Sequence, residues 1–364
     1  MRIGIAGAGL LGRLVAWALL DQGHTVAMWD RATTLTEAPP AQDPARAAGW
    51  TAAGMLSPTA ELECANEQVF AWGLQSLSLW PVLLDQLADM GHRVEYAQAG
   101  SLLLAHRTDL GAAQRVVSLL TRKAPQHHAP QALSRAQLHS LVPAVHGPAH
   151  AWHLPQEGQI HTVQAMAALG HALLARGVQW HGQQSIATLH AGQLVTASGA
   201  AHAYDWVFDC RGVGAAPDLP VRGVRGELFW LHAPHVNLTM PLRLLHPRWR
   251  VYIVGRTHHT VVVGATEIES EDRSPVSLRS TLELLSAAHS VVPGLAEARL
   301  IHQESNLRPA MPDNLPVVVT EPGLTRLNGL FRHGWLLGPA WVSHALASAF
   351  DTAPMHPLLN TPQQ

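Results

Sequence analysis

The stretch GIAGAGLLG at residues 4–12 constrains this chain more than any other. It continues an apolar run at residues 2–6 that reads as a buried strand. It then opens residues 10–22, where Leu11, Leu14, Val15, Ala18 and Leu19 recur at helical spacing. Gly23 closes that helix. Residues 24–30, HTVAMWD, read as a second strand. Gly7, Gly9 and Gly12 satisfy G-x-G-x-x-G. The first glycine serves the tight turn, the second the approach of a pyrophosphate, and the third close packing of helix on strand. Free N–H groups at the helix start point at the phosphates. The second strand ends at Asp30, where an acceptor for a ribose hydroxyl belongs. The pattern predicts a dinucleotide-binding βαβ unit rather than an empty glycine turn. It does not separate NAD from FAD, although the charge of Asp30 opposes the 2′-phosphate of NADP.

Bulk properties exclude several other classes. The chain has 364 residues, enough for one large or two medium domains, and its formal net charge is −2. Lys and Arg are scattered, which argues against nucleic acid. Cys64 and Cys210 form neither a disulfide framework nor a zinc motif. His127–His128 and His258–His259 are adjacent pairs, whose side chains are expected to point apart in a strand or turn, and Pro148 interrupts the series His146, His150, His153, so no metal is expected. Ser57 and Ser305 lack the G-x-S-x-G setting of a hydrolase. Arg13 breaks the apolar N-terminal run, so a secretory signal is not expected, and no later run suits a membrane span. A cytoplasmic location follows as an expectation.

Further along, residues 33–49 read as a loop and 60–90 as a helix broken near Pro81. A strand at 100–105, helices at 108–123 and 134–140, an irregular 146–161 and a helix at 162–177 follow. Strands are expected at 178–181, 185–197, 205–210, 222–232, 250–255 and 260–265, then a helix at 277–290. Short strands near 300–306, 315–319 and 326–331 lead to a final helix over 339–350, with Pro339 in its first turn. Nucleotide-binding elements thus lie at both chain ends. That weakens a nicotinamide dehydrogenase reading.

Beyond the glycine fingerprint, AAGML (52–56), VYIVGRTHHTVVVGATE (251–267), NLRPAMPDNLPVV (306–318) and GLFRHGWLLGPA (329–340) occur in order. With DCRG (209–212) and RGVRGE (222–227), they resemble the D-amino-acid oxidase superfamily, most closely the glycine oxidases of thiamine biosynthesis. The resemblance spans residue 2 to about 350. It implies an α/β fold, α+β overall: a Rossmann-like FAD-binding domain interrupted by an antiparallel β-sheet substrate domain. The expected FAD domain comprises 1–95, 140–215 and 305–352. The substrate domain comprises 96–139 and 216–304, with a tail at 353–364. FAD is expected to be non-covalent, because Ser305, Asn306 and Leu307 stand where some related amine oxidases carry a linking cysteine.

The resemblance also implies site residues. Gly7, Gly9, Leu10, Leu11 and Gly12 would line the pyrophosphate turn, with Asp30 and Arg31 at the adenosine ribose. Ala53, Gly54 and Met55 would lie along the flavin. Leu330, Phe331, Arg332, His333, Gly334, Trp335 and Leu336 would wrap its ring end. Arg308 would grip the substrate carboxylate, for which a planar guanidinium is suited, helped by Tyr252. Read without the family, Arg308 is a surface or turn-bracing arginine and Tyr252 an amphipathic core residue. Arg332 would face substrate or flavin, or else pack at a strand end. The start of the last helix, at Gly338 and Pro339, would offer its positive end to the reduced flavin. Trp50 and Trp335 would narrow the pocket. Two residues before the tyrosine, some glycine oxidases carry histidine; this chain has Arg250. The implied reaction is oxidative deamination of a small amino acid, glycine foremost, with dioxygen as oxidant. Sarcosine, a D-amino acid or another small amine are alternatives, as is flavin binding without turnover. Thiazole synthase and a second copy of the chain are further candidate partners.

Overall fold

The computed structural model describes residues 1–246 and 250–350. The tail expected at 353–364 lies outside the described residues.

Among those residues, two large sheets carry the architecture. The first has six strands in the order Val317–Glu321, Leu324–Asn328, Trp206–Asp209, Arg2–Ala6, Thr25–Trp29, Gln179–His181. All its pairings are parallel except the hairpin at 317–328. Arg2–Ala6 is central and apolar, with Ile3 and Ile5 fully buried, as a parallel strand covered on both faces must be. Helices Leu10–Asp21, Thr162–Ala175 and Gly334–Phe350 share its hydrophobic core. The chain therefore reaches the central strand first and returns to its flanks from residues 206 and 324.

The second sheet has eight strands, in the order Arg299–Ala310, Arg222–His232, Thr260–Gly264, Arg250–Arg256, Leu242–Leu245, Ser101–Ala105, His150–Leu154, Gln131–Leu133. One pairing, Leu242–Leu245 with Ser101–Ala105, is parallel, so the sheet is mixed rather than purely antiparallel. Helix Leu278–Val291 covers one face through Leu284, Ala287, Ala288 and Val291.

Several local expectations change. Helix Glu67–Asp89 runs through Pro81 without a break, anchored by buried Leu77, Trp80, Leu83, Leu84 and Leu87. The irregular stretch at 146–161 contains strands His150–Leu154 and Gly158–Ile160; their brevity and histidine content hide the alternation. His150–Leu154 pairs in the eight-stranded sheet, although 140–215 was assigned to the nucleotide half. The 185–197 strand is a hairpin of Ile186–His190 and Gln193–Thr196. The strand near 300–306 runs from Arg299 to Ala310.

The last helix starts five residues earlier than expected, at Gly334, so Pro339 lies inside it. A proline there cannot donate to the carbonyl four residues back. The indole Nε1 of Trp80 donates to that carbonyl, Trp335 O, at 3.0 Å. The next amide, Ala340 N–H, donates to the Ser76 hydroxyl at 3.1 Å. The neighbouring helix thus replaces what the proline removes.

Candidate active site

One elongated cavity of about 440 Å³ runs from the glycine turn across to the large sheet. Its first end is made by the N-terminal βαβ unit. Gly7 adopts φ +97° and its N–H donates to Trp29 O, tying the turn to the second strand. A Cβ at Gly7 would sit 2.5 Å from Cys210 O. Gly12 lies against the Gly7 carbonyl, so its role is helix–turn packing, and it does not line the cavity. Gly9 is open by contrast; the nearest atom to a Cβ there is the Ala47 methyl at 3.4 Å. Gly9 is also the N-cap of helix Leu10–Asp21 and supplies no side-chain cap. The first helical N–H groups therefore face the cavity without a side-chain acceptor, which suits an anion. Asp30 accepts from Ala8 N at 2.6 Å and Ala32 N at 2.8 Å. Those bonds fix its carboxylate at the cavity wall, with Arg31 beside it.

The middle of the cavity is walled by Ala53, Gly54 and Met55. Gly54 adopts φ +73°, and a Cβ there would overlap Ile160 O. Arg256 clamps this segment by donating to Ala53 O, to Ile160 O at 2.9 Å and to Gln159 Oε1 at 3.0 Å. Burial pulls the Arg256 guanidinium down to about 10. It stays charged at neutral pH.

The far end is formed by one face of the eight-stranded sheet. Arg308, on Arg299–Ala310, lies across Gly226 of the adjacent strand. A Cβ at Gly226 would lie 2.5 Å from the guanidinium carbon and both terminal nitrogens. Arg308 donates to Arg225 O at 3.3 Å and forms no ion pair with a described residue. Burial lowers its pKa, with Tyr252 and Glu267 opposing. Tyr252 stands two strands beyond Arg222–His232, over a second glycine; a Cβ at Gly264 would meet its hydroxyl at 2.5 Å. Burial raises the phenol, so it remains a protonated donor. Two strand glycines thus form the floor on which the arginine and the tyrosine lie.

Beside Tyr252, Arg243 pairs with buried Glu61 at 3.2 Å. The other oxygen of Glu61 meets Arg332 Nε at 3.0 Å and His333 Nδ1 at 3.3 Å. Arg332 also reaches Glu267 at 3.2 Å. Burial would raise the Glu61 carboxyl, but Arg243, His333 and Arg332 outweigh it and hold it at about 2. Burial is the largest single influence on Arg332 and lowers it, but Glu61, Cys64 and Glu267 together outweigh burial and raise it.

Gly7, Gly9, Leu10, Leu11, Asp30, Arg31, Ala53, Gly54, Met55, Tyr252, Arg308, Leu330, Phe331, Arg332, Gly334 and Trp335 thus meet around one cavity. Gly12, His333 and Leu336 do not line it. His333 turns to Glu61, and Leu336 packs beneath Gly73 in the core. Trp50 is also in the core, stacked by Arg13 at 5.3 Å, while Trp335 is at the wall. The helix end facing the cavity is Gly334 rather than Gly338. Glu61, Arg243, Arg256 and Glu267 escaped the sequence reading, as did the two glycine floors. An isolated glycine within a strand pattern, as in VVVGATE, was the available signal for close approach. No group of metal-binding side chains occurs among the described residues.

Comparison with known proteins places the chain among flavin-dependent oxidoreductases. A family model described as FAD dependent oxidoreductase matches residues 2–349. A putative thiamine biosynthesis oxidoreductase, ThiO, of Rhizobium etli is 36% identical over 93% of this chain and 94% of its own. A glycine oxidase of Geobacillus kaustophilus is 26% identical over 97% of this chain and 95% of its own. A crystal structure of glycine oxidase from that species superposes with a TM-score of 0.83 at 24% identity, covering 98% of this chain and 97% of the other. A bifunctional protein ThiO/ThiG of Trichormus variabilis is 28% identical over 95% of this chain and 52% of its own.

Proposed function

The chain belongs to the FAD dependent oxidoreductases, and on that footing we propose that it oxidises glycine to supply thiamine thiazole synthesis. The observation that carries the substrate reading is Arg308: a partly buried guanidinium that forms no ion pair with a described carboxylate, laid flat beside Tyr252. A carboxylate completes it through two parallel N–H···O bonds. The related thiamine-biosynthesis oxidoreductase and glycine oxidase support glycine as the amine.

The residues fit FAD. The uncapped helix start at Gly9–Leu10 suits the pyrophosphate, Asp30 the adenosine ribose, and the Ala53–Met55 wall a flat ring. When bound, FAD would supply the acceptor for the hydride of the substrate α-carbon, with dioxygen as the final oxidant and hydrogen peroxide as its product.

The protein supplies position and field. Arg308 fixes the carboxylate, which leaves one α-hydrogen in a defined direction. Tyr252 donates a second hydrogen bond to the carboxylate and narrows the site. Arg256 holds the Ala53–Gly54 wall in place. The N-terminus of helix Gly334–Phe350 contributes its positive end at the ring wall. Arg332 is engaged by Glu61 and Glu267, so its role is to set local charge rather than to grip substrate. The amine must be neutral before the hydride leaves, and solvent at the cavity mouth takes that proton. The product imine is handed to thiazole synthase in the cytoplasm, a reading the bifunctional relative supports.

Oxygen uptake by the FAD-loaded protein tests this reading. Glycine is expected to drive oxygen consumption with matching formation of peroxide, glyoxylate and ammonia. Absence of uptake with glycine, alongside uptake with sarcosine or D-alanine, would reassign the substrate.

A further inference from the structure

The cavity is lined by Arg31, Arg46 and Arg273 as well as by the glycine turn. Arg46 is neutralised by buried Glu304 at 2.7 Å. Arg31 and Arg273 form no ion pair with a described residue. Arg31 donates to Pro44 O at 3.0 Å. Arg273 reaches Asn306 Oδ1 at 3.5 Å, the limit for a hydrogen bond, and that oxygen already accepts from Leu307 N at 2.8 Å. Burial lowers the Arg273 guanidinium and Arg31 lowers it further, with Glu271 opposing, so the two arginines stand close enough to repel. Arg273 comes from the other half of the molecule, between strand Thr260–Gly264 and helix Leu278–Val291. Its backbone is fixed on both sides. Buried Arg225 donates to Asp272 O at 2.7 Å and to Pro275 O at 2.9 Å, and Ser305 Oγ donates to Ser274 O at 2.8 Å. Asn306 in turn donates to Ala47 O at 3.4 Å, and the Ala47 methyl lies 3.4 Å from a Cβ built on Gly9. Asn306 and Ala47 thus link Arg273 to the uncapped start of helix Leu10–Asp21.

We propose that Arg273, together with Arg31, receives the diphosphate of the dinucleotide alongside the helix start, so that a residue of the substrate half retains the cofactor. The proposal rests on the reading of this cavity as the FAD site. A diphosphate carries one negative charge on each phosphate. Two arginines without carboxylates match it in charge, and a guanidinium pairs with two phosphate oxygens at once. The helix start alone offers N–H groups and a partial charge of about half a unit, which leaves most of the diphosphate charge uncompensated. The glycine fingerprint therefore supplies only part of the site. The rest arrives from a segment more than 200 residues further along the chain.

The test measures the Kd of FAD by flavin fluorescence on dilution of the holoprotein, for wild type, R273A, R273Q, R273K and R279A. It is read at low salt and at about 1 M salt, where the Debye length is about 3 Å. R273Q keeps the side-chain bulk should R273A not fold. Arg279, exposed at the start of helix Leu278–Val291 and off the cavity, controls for a general loss of positive charge. The far-ultraviolet spectrum checks the fold. We expect R273A and R273Q to raise the Kd about 10- to 100-fold at low salt, R273K to recover part of the loss, and R279A to match wild type. The loss should shrink at high salt, and the visible spectrum of the bound flavin should not move, because the diphosphate is remote from the ring. An unchanged Kd in R273A or R273Q overturns the inference. So does a loss that R279A shares, a loss that salt leaves untouched, which marks packing rather than charge, or a shifted flavin spectrum, which would put Arg273 at the ring. Absence of FAD binding in the wild type overturns the flavin reading of the cavity as well.

Discussion

Arg308 can lie flat only because residue 226 has no side chain. Gly226→Ala places a methyl 2.5 Å from the guanidinium, and the arginine must lift. We expect Gly226→Ala to bind FAD and to raise the KM for glycine about 10- to 100-fold, on the scale of losing one or two hydrogen bonds to a charged group. Arg308→Ala should do at least as much, with R308K recovering only part because a point charge cannot form the bidentate pair. Steady-state kinetics and the flavin absorbance check both. An unchanged KM in R308A would remove Arg308 from the site. At this scale, legibility depended on residue type. Arg308 and Tyr252 stood out through the family resemblance. Glu61 and Arg243 did not, because a carboxylate in TAELEC and an arginine in LRLL look like ordinary surface charges until the fold buries them together. Pairing of charges distant in sequence is a tertiary fact.

At the scale of elements, the N-terminal strand–turn–helix was readable, since Gly7 takes a positive φ and Gly12 packs on the Gly7 carbonyl, both local backbone reasons. The last helix was not. Its start was placed at Pro339 by the preference of proline for first turns, whereas Trp80 and Ser76 on a helix far away in sequence make an interior proline tolerable. That arrangement yields a prediction. Trp80→Phe retains most of the packing but leaves the Trp335 carbonyl without its donor in a buried setting. It should destabilise the fold by about 1–3 kcal/mol. Chemical denaturation of the holoprotein checks this; stability equal to wild type would show that the carbonyl finds another partner. The helix through Pro81 is held instead by its buried face, Leu77, Trp80, Leu83, Leu84 and Leu87. Strands His150–Leu154 and Leu242–Leu245 were missed because their partners, not their own pattern, make them strands.

For the whole molecule, the two-sheet architecture followed from nucleotide elements at both chain ends, and the cavity lies where the parallel sheet's carboxyl edge faces the mixed sheet. Its ionic interior makes stability depend on pH. His161 is held down at about 4 by burial and by Arg256, against the pull of Glu95. Burial displaces His128, His333 and His344 the same way. The unfolded chain therefore takes up protons from about pH 6.5 downward that the folded chain refuses, and stability falls as pH drops toward 4. Below the ordinary carboxylate range Glu61, held at about 2, adds to the loss. Glu157, raised by burial, opposes it as a single group. Denaturation midpoints should be nearly flat between about pH 7 and 8 and decline steadily below 6.5; a flat profile from pH 7 down to pH 4.5 would contradict these burial effects. The central claim, a flavin site anchored by Arg308 and served by glycine, is tested most directly by the visible spectrum of the purified protein under anaerobic glycine. The account predicts an oxidised flavin spectrum that bleaches on adding glycine and returns with air. A flavin spectrum unmoved by glycine at saturating concentration would contradict it.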